Sequence, residues 1–228
     1  MKSIRGGICQ SVKRYAVSKP NRPIMYIDAN NLYGWAMSQP LPTGDFKMRN
    51  QFESDSDEIK FLMSITADNP IGYTYEVDLY IPENLHDYLS DLPPAPEKMF
   101  IPSDKLSPYQ KRKLNNKPRP KVDKLILTLS DKKNYVIHYR LLQLYIKLGV
   151  KITQFHRVIS YKQSKWMEPY ISSNTEARKK SKSSFEKSFW KLLNNSVYGK
   201  TIEDVLKRVN MKILFDPDEF RNAIESQT

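Results

Sequence analysis

"MYIDANNLYGWAMSQPLP", residues 25–42, sets one aspartate, Asp28, at the end of a short apolar run. Two asparagines, a tyrosine and a glycine follow within six residues. "PIMYID" reads as a strand ending at Asp28, and the residues after it as a sharp turn. A lone carboxylate at such a place is costly unless a cation meets it. Either a salt bridge or a metal is therefore expected at Asp28.

Outward from this stretch the chain mixes strands and helices. "GYTYEVDLY", residues 72–80, alternates Tyr73, Tyr75, Val77 and Leu79 against polar neighbours and reads as a half-buried strand. "KLILTLSDKKNYVIHYRLLQLYIKLG" reads as a strand, a turn and a helix closed by Gly149, and "VKITQFHRVISY" as a further strand. A long amphipathic helix is expected over roughly Ser181 to Tyr198. Residues 93–120 hold 7 of the 15 prolines and read as an extended insertion without regular elements. This order of elements predicts an α+β fold. The expected divisions are 1–92, the insertion 93–124, a strand–helix–strand portion 125–174, a helical segment 175–200, and 201–228.

On the long helix, at 100° per residue, Lys187, Lys191, Asn195 and Tyr198 fall within an arc of roughly 80°. Phe185, Phe189, Leu192 and Leu193 fall opposite and read as a core stripe. A solvated basic face is the ordinary meaning of such a pattern. The sharper meaning is a triphosphate site, with lysines one turn apart on phosphate oxygens and an amide and a phenol near the base.

The 228 residues suffice for a sizeable core, and 37 Lys and Arg stand against 25 Asp and Glu, a net charge of +12. A polyanionic partner is favoured. The first 27 residues carry Lys2, Arg5, Lys13, Arg14, Lys19 and Arg22 and no acid, whereas acids gather in "ESDSDE" at 53–58. "SDSD" within that stretch reads as a solvated loop. The single cysteine, Cys9, excludes an internal disulfide and points to a reducing, intracellular compartment. No stretch reaches the ~18 apolar residues of a membrane span, and no secretory leader is expected. His86, His138 and His156 lack metal-ligand spacing, and no glycine-rich Walker loop is present.

"DANNLYG" at 28–34 and "KLLNNSVYG" at 191–199 together resemble two signature motifs of family B DNA polymerases. The second, Lys-x-x-x-Asn-Ser-x-Tyr-Gly, is complete as Lys191, Asn195, Ser196, Tyr198 and Gly199. The first keeps Asp28, Leu32 and Tyr33, with Asn31 and Gly34 where the family has Ser and Pro. Those departures, with "LPPAPEKM", "HRVISYKQSKWMEPYI" and "FEKSFWKLLNNSVYGKTIEDV", are similar to the protein-primed polymerases of Polinton (Maverick) elements and linear plasmids.

The resemblance implies a partial palm, a terminal-protein-region insertion and a fingers helix, working on DNA template-primer and deoxynucleoside triphosphates. Asp28 would be one of two palm carboxylates holding the catalytic Mg²⁺ ions. Asn31, Leu32 and Tyr33 would contact the nucleotide, Tyr33 excluding a 2′-hydroxyl. Lys187 and Lys191 would bind the triphosphate, with Lys179 or Lys180 as a third cation, and Asn195 and Tyr198 would lie near the base. Arg5, Gly6 and Gly7, in a loop like the family's Tyr-x-Gly-Gly, would contact DNA. Ser196, Gly199, Lys111, Arg112 and Lys113 would do the same, and the insertion would meet a terminal priming protein. The family's second carboxylate motif, aromatic-x-Asp-Thr-Asp, does not occur in the sequence. The chain is thus expected to be a polymerase fragment, inactive alone; a non-catalytic nucleic-acid-binding remnant is the alternative. Location in the nucleus or cytoplasm is expected, or in the mitochondrion for a plasmid-borne gene.

Overall fold

The computed structural model describes residues 3–6, 8, 15–115, 121–209, 211 and 213–225. Along the chain the elements are α1 (Leu32–Met37), β1 (Leu41–Arg49), α2 (Asp55–Ser64), β2 (Ile71–Tyr80), α3 (His86–Leu89), β3 (Glu97–Met99), α4 (Pro108–Leu114), β4 (Lys124–Ile126), β5 (Lys132–His138), α5 (Tyr139–Lys147), β6 (Lys151–Ser164), α6 (Glu168–Lys180), α7 (Ser184–Thr201) and α8 (Pro217–Glu225). The fold is α+β, as the sequence predicts.

Four strands form one sheet in the order β1–β6–β2–β5, and every neighbouring pair is antiparallel. The strands β5 and β6 both run against β2, so they are parallel to each other, and α5 carries the chain from one to the other. The turn after α5 needs Gly149: its φ is +93°, and a Cβ there would stand 2.6 Å from Leu85 Cδ1. Alternation along β2 points Tyr75, Val77 and Leu79 at one face, where they pack with Leu62 and Ile65 at the end of α2 and with Tyr139, Leu142 and Tyr145 of α5. This is the main core.

The buried ion pair beneath α2 was not visible as such in the sequence. Glu58 is 1% exposed; it pairs with Arg49 and accepts from the Tyr75 hydroxyl at 3.0 Å and the Phe52 N–H at 3.2 Å. The "SDSD" stretch, expected as a solvated loop, starts this helix. Ser54 caps it by accepting from the Ser56 N–H, and Asp55, Asp57 and Glu58 occupy the first turn, where the helix dipole favours acids.

Three further expectations are corrected. "PIMYID" is not a strand: residues 23–29 form no ladder, and Met25, Tyr26 and Ile27 are 74%, 93% and 80% exposed. A strand needs a hydrogen-bonded neighbour, and none stands beside this run among the described residues. The proline-rich insertion is not devoid of regular structure. Its β3 pairs with β4, and α4 starts at a Ser107–Gln110 capping box with Pro108 in its first turn, where proline is tolerated. The helical segment near 175–200 is broken at residues 181–183. Ser181 turns extended, and Ser183 opens α7 through a capping box with Glu186.

Candidate functional site

The turn after Asp28 is made by Asn31. Its φ of 53° is left-handed, a conformation asparagine tolerates, and its carbonyl accepts the Trp35 N–H at 2.9 Å to begin α1. The Asn31 side chain folds against Gly34, where a Cβ would fall 2.4 Å from Nδ2. The asparagine and the glycine that depart from the family motif therefore touch. Asp28 is exposed and has no salt bridge among the described residues. Among the described residues no side chain supplies the cation that the sequence calls for there.

α1 lies against α6 and α7. Met37 packs with Met167 and Ile171, and Leu41, Val197 and Tyr198 close over this small cluster. On top of it the Tyr33 and Tyr198 rings stack, with centroids 4.2 Å apart and planes 8° from parallel. Residues 165 positions apart in sequence thus form one face-to-face pair (198 − 33). Aromatic pairs in favourable stacked geometry add about 0.5–1.5 kcal/mol beyond area burial. One end of the site is thus the Asp28–Tyr33 segment, and the other is α7.

The orientation of α7 differs from the expectation in one respect. Phe185, Phe189 and Leu192 are 77%, 46% and 64% exposed, so they are not a core stripe. The inward face is instead Trp190, Leu193, Asn194, Val197 and Tyr198, following i, i+3, i+4, i+7, i+8. Periodicity alone reads Asn194 as a polar interruption. Its burial is explained by a partner on α6: Asn174 Nδ2 donates to Asn194 Oδ1 at 2.9 Å. Lys187, Lys191 and Asn195 are exposed, and neither lysine is ion-paired among the described residues. Ser196 donates to the Leu193 carbonyl at 3.0 Å, and Gly199 faces open space.

Residues 1–207 match the family model described as DNA polymerase type B, organellar and viral. The chain belongs to this family. Among solved structures, the type B chain is similar to Phi29 DNA polymerase complexed with primer-template DNA and incoming nucleotide substrates. Identity is 17%, the TM-score is 0.43, and the match covers 76% of this chain and 25% of that one. An orthorhombic crystal form of Phi29 DNA polymerase gives 16% identity, a TM-score of 0.44, and coverage of 78% and 26%. The chain spans about a quarter of the length of these structures. No curated protein matches the chain.

Other predicted site residues of this type B polymerase chain lie elsewhere or are differently engaged. Lys179 donates to Glu176 Oε1 at 2.7 Å, and this hydrogen bond lowers the Glu176 pKa. Lys180 makes no ion pair among the described residues, although its charge also helps to lower the Glu176 pKa. Because α6 ends between these lysines and α7, helical spacing does not carry across to either. Arg5 Nη1 donates to the Val136 carbonyl at 2.7 Å, and its guanidinium lies 3.7 Å over the Tyr135 ring, so β5 already occupies it. Gly6 faces open space, while Gly7, like Cys9, lies outside the described residues. Lys111, Arg112 and Lys113 form the last turn of α4, where cations complement the helix dipole.

The described residues do not themselves build a divalent-metal site. No three His, Cys, Asp or Glu side chains among them converge, and Asp28 stands alone, whereas Mg²⁺ needs near-octahedral oxygen ligation. Among the described residues, no helix is long and apolar enough to cross a membrane.

Proposed function

We infer that this chain forms the incoming-nucleotide side of a protein-primed type B DNA polymerase, the part that receives a deoxynucleoside triphosphate opposite template DNA. The Tyr33–Tyr198 stack carries this reading, because it joins the Asp28 motif to the α7 motif. Lys187 and Lys191, exposed and without carboxylate partners among the described residues, grip triphosphate oxygens by charge-assisted hydrogen bonds. Asn195 stands near the base pair. Tyr33, half-covered by Tyr198, lies under the sugar and leaves no room for a 2′-hydroxyl. Asp28 supplies one carboxylate toward Mg²⁺; further ligands come from elsewhere in the polymerase.

The net charge of +12 supports a DNA partner, with Arg5, Gly6, Ser196, Gly199 and the α4 cations along its path. A terminal priming protein would meet the insertion, 93–124, and the start of the strand that follows it. There a cavity of about 710 Å³ is lined by Met99, Ile101, Leu125, Ile126 and Leu127 among others.

Titration of the chain with a deoxynucleoside triphosphate tests the reading. Lys191→Ala is expected to weaken binding about tenfold, the worth of one charged hydrogen bond. Lys60→Ala, on α2 and paired with Asp57 at 3.0 Å, is expected to leave binding unchanged. Equal affinities for the two variants would overturn the phosphate role.

A further inference from the structure

Among the described residues the α6–α7 hairpin is joined by the buried Asn174–Asn194 bond and by a longer, exposed one, in which the Tyr170 hydroxyl donates to the Leu193 carbonyl at 3.5 Å. Its apolar seam is confined to one end, where Met167 and Ile171 meet Val197 and Tyr198. In α6 only Ile171 and Asn174 are buried, and in α7 only Asn194. From this pair outward to the tip, Trp190 and Leu193 are half-covered and the remaining α7 side chains are exposed. Both asparagines are 5% exposed. A buried amide left without a partner is costly, whereas apolar side chains tolerate sliding past one another. Rotating α7, or slipping it by one turn of about 5.4 Å, would orphan both amides. The pair therefore selects one register, as a single buried asparagine does in coiled coils.

That register sets where the lysines point. Lys187 lies seven residues before Asn194, within roughly 20° of the same azimuth and about 10 Å nearer the hairpin tip. Lys191 lies roughly 60° from it. We propose that Asn174 and Asn194 are a positioning pair whose hydrogen bond aims Lys187 and Lys191 at the triphosphate. The inference rests on the phosphate role of those lysines argued above.

The test compares three forms of the chain: native, Asn174→Leu/Asn194→Leu and Asn174→Ser/Asn194→Gln. The leucine pair keeps the contact filled but removes the hydrogen bond. The serine–glutamine pair keeps a bond of about the same combined length. Spin labels at Lys180→Cys and Ser188→Cys, in a Cys9→Ser background, report the helix register by electron-electron distance measurement. Titration with deoxyadenosine triphosphate, without the labels, reports the lysines.

The leucine pair is expected to unfold at or above the native temperature, yet to broaden the distance distribution and weaken nucleotide binding about fivefold to tenfold. The serine–glutamine pair is expected to restore both readings. A leucine pair with native distances and native affinity overturns the inference, and so does loss of folding in both doubles. The parallel Lys191→Ala titration separates the two levels. If it weakens binding while the leucine pair does not, only the positioning role fails. If it does not weaken binding, the phosphate role fails and the inference falls with it.

Discussion

Asn31 and Gly34 show how a single contact can make two departures from a motif mutually dependent. Alanine inside a helix ordinarily gains about 1 kcal/mol over glycine. At Gly34 the new Cβ would press on the Asn31 amide, which lies 2.4 Å away, so part of that gain is lost. The gain from Gly34→Ala is expected to be larger by about 0.5–1 kcal/mol in an Asn31→Gly background. Denaturant unfolding of the four variants measures this, and strict additivity would contradict the contact. His138 gives a pH dependence. Burial, and then the nearby Arg140 charge, push its pKa down to about 4, and its Nδ1 accepts the Arg140 N–H at the start of α5. The unfolded chain, with an ordinary imidazole near 6.5, binds the proton first. Stability from this group is thus complete above about pH 6.5 and declines as pH falls toward 4, by an amount on the order of 3 kcal/mol. Stability measured against pH in the native chain and in His138→Asn checks it; the variant should lack this component of the decline.

At the scale of elements, a buried cation helps tie the insertion to the main sheet, beside the Tyr135 hydroxyl, which donates to the Pro96 carbonyl at 3.2 Å. Lys132 of β5 has a fully covered side chain; its Nζ lies 3.0 Å from Glu97 Oε2 on β3 and donates to Thr128 Oγ1 at 2.6 Å. Glu97 is the one carboxylate paired with this ammonium among the described residues, and removing it leaves a desolvated charge. Glu97→Ala is expected to cost about 2–3 kcal/mol, with Lys132→Met costing less because it removes the charge along with the bond. Urea unfolding of the two variants ranks them, and the reverse order would contradict the role given to the pair. The capping box of α7 is a second local determinant. Ser183→Ala should cost about 1 kcal/mol and fray the turn before Lys187, seen as faster amide exchange at residues 184–187.

For the molecule as a whole, some of the architecture was legible because its causes are local. Alternation in residues 72–80 marks the central strand, Gly149 marks the end of α5, and the residue types in "KLLNNSVYG" mark the site helix. What could not be read depends on neighbours distant in sequence. "PIMYID" has strand composition but no partner strand among the described residues. Phe185, Phe189 and Leu192 form a regular apolar stripe, yet burial follows the position of α6 and turns that stripe outward. Glu58 and Asn194 look like surface residues until Arg49 and Asn174 are placed beside them. The candidate site was legible as two separate motifs; only the fold brings Tyr33 onto Tyr198. Photolabelling with an azido-substituted deoxynucleoside triphosphate, followed by peptide mass spectrometry, tests that union most directly. Peptides from both 28–35 and 187–199 should carry the label and be protected by unmodified deoxynucleotide. Label confined to one of them, or spread without protection over the basic surface, would contradict a single site built from both ends of the chain.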